Sequence, residues 1–287
     1  MTSVAETVPV SRLGVGARSW RAVKRHALTV YAILAVAYLM LPIAVVILFS
    51  FNDPVGRFNY VWQGFTIDHW LDWDAPLGLS HAVMVSLEIG LLATFVATVL
   101  GTLMAMGIVR YHFRGRGATN LLVFLPMSTP EIVLGASLLT LFLNTTAVFQ
   151  LGFVTIFIAH VMFIVSFVVV TVKARLIGFD RHLEEAAMDL GATEVTTFRK
   201  ITLPLIAPAM LAAALLGFAL SIDDFVITYF SAGATQTFPI FVWGIARVAV
   251  PPQVNVIASA IFLVAIAIAL GNVLWQYRHA RRTQGAT

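Results

Sequence analysis

Long apolar runs separated by short polar stretches dominate the chain. Six of these runs reach about 20 residues or more and contain few charges. A helix needs about 20 apolar residues, at about 1.5 Å each, to cross a hydrocarbon core of about 30 Å. The pattern therefore predicts an all-α integral membrane protein with six transmembrane helices, at approximately 28–50, 82–108, 120–143, 151–172, 203–230 and 254–277.

Basic residues are distributed unevenly among the loops. Only Arg57 and Arg247 lie in the first, third and fifth loops, whereas the other 16 of the 18 lysines and arginines lie in alternate segments. Because Lys and Arg collect in cytoplasmic loops, we expect both termini to be cytoplasmic in a bacterial inner membrane. The expected organisation is a cytoplasmic tail over 1–27, a permease domain over 28–277 and a cytoplasmic tail over 278–287.

Composition agrees with a bilayer as the solvent. The chain is 60% hydrophobic and 11% charged, with a mean hydropathy of +0.91, whereas soluble domains are about 25% charged. The net charge of +4 follows from the uneven loops and does not indicate a nucleic-acid partner. Cysteine is absent, and phosphate-binding, metal-protease and serine-hydrolase motifs are missing. We therefore expect no catalytic residue, no metal site and no cofactor bound by this chain.

The loop over 173–203 is patterned like folded structure. Its first half predicts a short helix, which Gly191 would end, with apolar residues at helical spacing: Leu183, Ala186, Ala187 and Leu190. Leu203-Pro204 then begins the fifth span, since proline is tolerated in a first helical turn. Two interpretations remain open, namely a helix lying on anionic lipid and a docking element for a partner protein.

The same loop resembles the EAA loop of ABC-importer permeases. Glu185-Ala186-Ala187 is followed by three residues, Gly191, nine residues, Ile201, one residue and Leu203-Pro204. The resemblance implies a type I ABC importer permease fold, in which this loop is the coupling helix held by an ATP-binding subunit. It also implies the coupling residues: Glu185, Ala186, Ala187, Gly191, Ile201, Leu203 and Pro204.

Shorter segments between Tyr31 and Trp275 are similar to the spermidine/putrescine (PotC-type) subgroup of these permeases. They include Ser50-Phe51-Asn52, Trp62-Gln63-Gly64-Phe65-Thr66, Met127-Ser128-Thr129-Pro130-Glu131 and Leu220-Ser221-Ile222-Asp223-Asp224. The resemblance implies a transport subunit that is not itself an enzyme and that translocates polyamines. Its implied partners are a homologous second permease subunit, two ATP-binding subunits that bind ATP and Mg, and an extracytoplasmic polyamine-binding protein.

Carboxylates inside the predicted spans point to a cation pathway. Glu88, Glu131, Asp223 and Asp224 lie within spans, while no Lys or Arg lies deep in any of them. Intramembrane charges are costly and mark ion or substrate pathways. Since adjacent helical residues point about 100° apart, at most one of Asp223 and Asp224 faces a conduit squarely, with Ser221 as a neutral hydrogen-bonding group nearby. The two acids are also compatible with a merely wet helix end.

Glu131 allows a second interpretation. Pro126 and Pro130 predict an interruption of the third span, with Thr129 as the N-cap of the restarted helix and Glu131 in its first turn. Along a straight helix Glu131 would lie roughly 18 Å deep. Transporters place broken helices at their binding sites, but a helix dipole also favours a carboxylate at this position.

The first external loop combines tryptophans with aspartates. Trp62 lies in the family-like segment and is our candidate pathway residue, since aromatic faces attract alkylammonium groups. Interface anchoring of the tryptophans and docking of a binding protein at the acids are alternatives. Two other functions also remain: an ABC permease for another cationic or amino-group solute, such as a GABA-like compound, and a proton-coupled secondary transporter.

Overall fold

The computed structural model describes residues 15–145 and 148–284. Within these ranges it contains no strand, apart from an isolated bridge between Asn52 and Phe65. In chain order the helices are α1 (Val15–Phe49), α2 (Asp68–Leu71), α3 (Leu79–Arg110), α4 (Arg116–Ser128), α5 (Glu131–Asn144), α6 (Phe153–Ile177), α7 (His182–Asp189), α8 (Glu194–Thr197), α9 (Leu203–Asp223), α10 (Val226–Ser231), α11 (Phe238–Ile245) and α12 (Pro252–Gln284). This confirms the all-α prediction.

The apolar helices lie in the regions of the six predicted spans, but not every one of them is long enough to cross a bilayer by itself. Three helical stretches near spans one, two and four are long and apolar enough to cross a bilayer by themselves, namely His26–Phe49, α3 and α6. A fourth such helix runs over Glu194–Asp223, and α4 with α5 qualifies only as a bent pair. In the sixth region Pro252–Ile268 is the apolar part of α12. The count of six spans stays a prediction, as do the tails over 1–27 and 278–287.

The fifth span agrees with its predicted start and differs at its end. Its α-helix, α9, begins at Leu203, although helical backbone is continuous from Glu194 through a π-helical segment, Phe198–Thr202. Proline lacks an N–H and its ring clashes with the carbonyl four residues earlier, and a wider π turn accommodates such a disturbance. The helix ends at Asp223, not at residue 230, and α10 begins separately at Val226.

The described chain divides into two units. One unit contains Asp74–Val250, and its core is formed by buried apolar residues of α3, α6 and α9. Glycines permit close helix approach there: a Cβ on Gly101 would lie 2.7 Å from Val168 Cβ, and one on Gly217 would lie 2.5 Å from Ile164 Cγ2. Small residues at helix contacts serve the same purpose in other membrane bundles.

The other unit contains α1, α2, α12 and residues 51–73 of the first predicted external loop. Buried Asn52 organises this loop, since its amide donates to Asn59 Oδ1 at 2.6 Å and Val61 O at 2.8 Å and its Oδ1 accepts from Gln63 N at 2.7 Å. Trp70 donates to Ser50 Oγ at 3.2 Å. The family-like segment at 50–52 therefore has a structural role in holding the loop.

Candidate functional site

Asp224 lies in the break between α9 and α10, and protein groups donate hydrogen bonds to its carboxylate. Its carboxylate accepts hydrogen bonds from Thr228 N and Thr228 Oγ1, both at 2.7 Å, and from Ile227 N at 3.4 Å. Its side chain is only 6% exposed. Asp224 thus caps the start of α10 and satisfies otherwise free helical N–H groups.

His160 connects this capped carboxylate to α6. Its Nδ1 lies 2.7 Å from Ser221 Oγ, and its Nε2 lies 2.8 Å from Thr228 Oγ1 and 3.4 Å from Asp224 Oδ2. Because the Thr228 hydroxyl donates its one proton to Asp224 Oδ2, it is left as an acceptor toward His160 Nε2. All these side chains are buried. Ser221 is therefore engaged with His160 and contributes to positioning Asp224.

Asp223 differs from its neighbour in exposure. It is the last residue of α9, and its side chain is exposed whereas that of Asp224 is buried. Asp224 follows Asp223 directly, and Glu131 begins α5, the helix that packs against α10. Of the three predicted pathway acids, Asp223 and Glu131 are the exposed pair.

Glu131 lies at the predicted helix interruption, but the local geometry differs from the prediction. The helices α4 and α5 meet at 108°, which confirms the predicted interruption of the third span, while the depth of Glu131 stays a prediction. The N-cap position of α5 is Pro130, while Thr129 Oγ1 donates to Leu125 O at 2.7 Å, so Thr129 is not the N-cap. Exposed Glu131 begins α5.

A close contact holds α5 beside α10. A Cβ on Gly135 would lie 2.5 Å from Phe230 Cδ2, and buried residues of α5, α6 and α10 share one apolar cluster. Gly135 lies one turn after Glu131, so this packing brings the start of α5 toward the break that holds Asp223. Predicting the contact from sequence would require knowing which helices pair.

Aromatic side chains adjoin the acidic cluster and were not selected from the sequence. The Phe225 ring centroid lies 5.5 Å from that of Tyr229 and 5.2 Å from that of Trp243. Arg247 Cζ lies 5.0 Å from the centroid of Trp243, so this ring already contacts a cation. The four-residue spacing of Trp243 and Arg247 is a sequence signal that could have indicated their contact, but it was not used.

Trp62 belongs to the unit that contains α1. Its ring packs edge-on against Phe49, with centroids 6.4 Å apart, and it remains 42% exposed. Trp70 instead stacks on Phe51 at 5.4 Å and is tied to Ser50. Trp62 keeps an accessible ring, and its place in the substrate pathway stays a prediction.

The loop over 173–203 contains the predicted short helix, α7. Asp180 Oδ1 accepts a hydrogen bond from His182 N at 3.1 Å, and the same oxygen lies 2.7 Å from His182 Nδ1. This hydrogen bond raises the pKa of His182, with smaller contributions from the charges of Asp180 and Glu185, and it lowers the pKa of Asp180. After α7, Gly191 adopts a φ of +86°, a left-handed conformation that favours glycine.

The apolar positions of this helix do not pack inside the chain. Leu183 is 48% exposed and Leu190 89% exposed, and the coupling residues Glu185 and Ala186 are also exposed. Ala187, Ile201 and Leu203 are partly exposed, and Pro204 is exposed at the start of α9. The predicted face is therefore available to an occupant outside the chain.

Glu184, by contrast, is buried although the sequence pattern places it on the polar side of α7. It is the one buried residue among the eight of this helix. Its Oε1 accepts hydrogen bonds from Arg110 Nη2 at the end of α3 and from Thr202 Oγ1 in the π-helical segment. We call Arg110, Glu184 and Thr202 the Glu184 clasp. Helical periodicity gave no signal for an inward-facing carboxylate.

Comparison with known proteins identifies relatives along most of the chain. The family described as "Binding-protein-dependent transport system inner membrane component" matches residues 97–284. The spermidine/putrescine transport system permease protein PotC of Escherichia coli K12 is 39% identical over 243 residues, which cover 83% of this chain and 89% of PotC. The putrescine transport system permease protein PotI of the same strain is 36% identical over 252 residues, 86% of this chain and 88% of PotI.

Solved structures of low sequence identity share the fold. A bacterial ABC transporter involved in import of the acidic polysaccharide alginate superposes with a TM-score of 0.62 at 18% identity, covering 91% of this chain and 99% of that chain. An amino acid ABC transporter gives a TM-score of 0.55 at 16% identity, covering 75% and 100%. These similarities confirm the predicted permease fold, and the chain belongs to the family of inner-membrane components of binding-protein-dependent transport systems.

Proposed function

We propose that this chain is a permease subunit of an ATP-driven importer and translocates polyamines such as spermidine and putrescine. The observation that carries the substrate class is the exposed Asp223 carboxylate, which directly precedes Asp224 at the break between α9 and α10, with exposed Glu131 at the start of α5, the membrane-embedded helix that packs against α10. A membrane-embedded cluster of negative charge favours a cation. The relatives PotC and PotI carry spermidine/putrescine and putrescine in their names.

The three acids have different roles in this proposal. Asp224 is occupied by Thr228 and His160 and holds the helix break in shape. Asp223 and Glu131 offer accessible carboxylates to the amino groups of a passing polyamine. The exposed ring of Tyr229 flanks the alkyl chain and its charges through cation–π contact, whereas the ring of Trp243 is already in contact with Arg247. Water-wetted pairs of this kind are weak enough to release the substrate.

The loop over 173–203 connects transport to ATP. In this proposal the exposed face of α7, with Glu185 and Ala186, docks in a cleft of an ATP-binding subunit. Gly191 turns the chain out of the docking helix, and Ile201, Leu203 and Pro204 join it to the fifth span. Exposed apolar side chains outside the spans, of which Leu190 is the most exposed in this loop, support an occupant of this face.

The proposed assembly contains four further protein subunits besides the bilayer. This chain pairs with a homologous second permease subunit, two ATP-binding subunits bind ATP and Mg, and an extracytoplasmic polyamine-binding protein delivers substrate. Both termini of this chain face the cytoplasm of a bacterial inner membrane, in keeping with the 16 basic residues on that side. In this arrangement the chain itself binds no cofactor and catalyses no reaction.

An uptake competition panel tests the substrate. The assembled complex is reconstituted with its binding protein, and uptake of labelled spermidine is measured against unlabelled spermidine, putrescine, GABA and an uncharged amine analogue. Competition by spermidine and putrescine alone is the expected result. Preferential competition by GABA would instead assign the chain to another amino-group solute, and uptake driven by a proton gradient without ATP would assign it to secondary transport.

A further inference from the structure

The Glu184 clasp joins elements that are distant in sequence. Arg110 is in the last turn of α3, Glu184 is in the first turn of α7, and Thr202 is the last residue of the π-helical segment before α9. Both donors reach the same oxygen, Glu184 Oε1, and Arg110 Nη2 also lies 3.5 Å from Thr202 Oγ1. A single carboxylate oxygen therefore connects α7 to two helices of the membrane bundle.

The elements that receive this connection are firmly packed. α3 and α9 contribute buried residues to the same apolar core, together with α6. Thr202 is fully buried, and Ile206 one turn later is fully buried as well. A displacement of Glu184 is consequently transmitted to the ends of packed helices rather than to loose chain.

The remaining attachments of α7 are weaker by comparison. The helix contacts α8 and the π-helical segment, and its other end leaves through a glycine in the left-handed conformation. Its apolar residues Leu183 and Met188 are about half exposed and contribute little packing. The clasp is therefore the charged anchor of α7 on the membrane bundle.

A partly buried ion pair suits this purpose. Replacing one partner leaves the other charge uncompensated in a desolvated place, so the arrangement is specific even where its net stabilisation is small. Charge-assisted hydrogen bonds are also short and directional. Arg110 Nη2 and the Thr202 hydroxyl both donate to Glu184 Oε1, one from α3 and one from the π-helical segment, which fixes the orientation of α7 about its axis.

We propose that Glu184 is a positioning residue that transmits movement of the docked helix α7 to α3 and α9 through Arg110 and Thr202. This inference rests on the docking role proposed above. Glu185 and the other exposed residues of α7 contact the ATP-binding subunit. Glu184 is buried, faces the membrane bundle and binds Arg110 and Thr202 there. Loss of the clasp then leaves ATP hydrolysis intact and uncouples it from transport.

The first test measures uptake and hydrolysis in the same vesicles. We expect Glu184→Gln and Arg110→Gln to retain the ATP-binding subunits on purification but to lower spermidine transported per ATP by roughly five-fold or more, the lower end of allosteric coupling. The matched control is Arg114→Gln, which alters an exposed arginine outside α7 and outside the clasp. It should leave this ratio unchanged. The exchange Arg110→Glu with Glu184→Arg should recover part of the ratio.

A second measurement needs no transport substrate. The chain has no cysteine, so Phe113→Cys and Leu190→Cys, both at exposed positions, carry a unique pair of spin labels. The distance distribution between the labels should be narrow in the parent complex and broader with Glu184→Gln. If Glu184→Gln fails to assemble, Thr202→Val is measured in its place. It removes one contact of the clasp and should give a broader distance distribution than the parent complex.

The outcomes separate the two proposals. Failure of the parent complex to import spermidine overturns the polyamine proposal while the label distances still test the clasp. An unchanged distance distribution in Glu184→Gln overturns the clasp. A broader distribution with an unchanged ratio of transport to ATP also overturns it, because Glu184 would then order α7 without serving the coupling. Broadening with a lowered ratio supports it.

Discussion

Adjacent aspartates at the end of α9 occupy different environments, and their amide variants should therefore behave differently. Asp224→Asn removes a charge that four polar contacts satisfy, so we expect it to lower the free energy of unfolding by about 1–3 kcal/mol. Asp223→Asn alters an exposed carboxylate and should change that free energy by no more than about 0.5 kcal/mol. Thermal unfolding of the purified chain in detergent measures both.

Uptake kinetics test whether Asp223 belongs to the substrate pathway. If Asp223 contacts the polyamine, Asp223→Asn raises the KM of uptake about ten-fold, the change that corresponds to about 1.4 kcal/mol. The affinity of the binding protein for spermidine, measured separately, should not change. Glu88→Gln is the control, because Glu88 is an exposed acid of α3 outside this cluster. A normal KM in Asp223→Asn would remove Asp223 from the pathway.

The start of α7 carries a pH-sensitive pair. The hydrogen bond with Asp180 raises the pKa of His182, so the interaction is fully present below the ordinary histidine pKa of about 6.5. It is lost as pH rises through the raised value in the folded chain. We expect Asp180→Asn to lower the titration midpoint of His182, followed by NMR of labelled histidine. Asp189→Asn should not lower it. The side chains are 88% and 66% exposed, so salt should weaken the effect.

At the scale of one element, Gly191 sets the direction in which the chain leaves α7. A Cβ at this position meets nothing within 4 Å, so the whole effect of Gly191→Ala comes from its φ of +86°. A left-handed alanine costs about 1–2 kcal/mol, and we expect a matching loss of stability with reduced coupling of ATP hydrolysis to uptake. Gly191→Asn should lose less, since Asn tolerates this conformation better.

Gly178 provides the matched comparison for that variant. It lies at the other end of the same loop, ends α6 with a φ of −85°, and a Cβ there would meet only ordinary contacts at 3.9 Å or more. Gly178→Ala should therefore leave both coupling and unfolding unaffected. Equal defects in Gly178→Ala and Gly191→Ala would show that the left-handed turn is not the cause.

The contact between α6 and α9 depends on Gly217. The added methyl of Gly217→Ala would lie 2.5 Å from Ile164 Cγ2, and overpacking of this kind destabilises by about 1–3 kcal/mol. Thermal unfolding in detergent should show this loss. Gly244→Ala, where a Cβ meets nothing, is the control. Combining Gly217→Ala with Ile164→Ala removes the clashing atom, so the double variant should lose less than the sum of the single changes.

Sequence patterns predicted elements better than their ends and contacts. Apolar length located α1, α3 and α6, because the bilayer imposes that length on any span. The π-helical segment before Pro204 and the break after Asp223 depend on local backbone geometry that periodicity does not register. The Glu184 clasp also needed tertiary information, since only the approach of α3 turns a polar helix position into a buried one.

At the scale of the whole molecule, the comparisons supply what no single residue does. Motif spacing in the loop over 173–203 predicted the family, and the match over residues 97–284 confirmed it. The candidate acids of a substrate pathway were predicted from their position in apolar runs, and the fold adds that α5, which Glu131 begins, packs against α10 next to the two aspartates. Trp243 was missed because an aromatic residue in an apolar run looks like membrane anchoring.

Topology is the property of the whole chain that labelling can determine. The distribution of basic residues predicts six spans with both termini inside, but α4 and α5 meet at 108°, a geometry shared by a broken span and a re-entrant loop. The natural absence of cysteine makes Phe113→Cys, Val148→Cys and Thr287→Cys clean probes for a membrane-impermeant maleimide. Val148→Cys alone should react from outside, because a broken span places residues 113 and 148 on opposite sides, and the other two should react only after permeabilisation. Labelling of residues 113 and 148 from the same side would make α4 and α5 a re-entrant loop, and labelling of residue 287 from outside would contradict a cytoplasmic C-terminus.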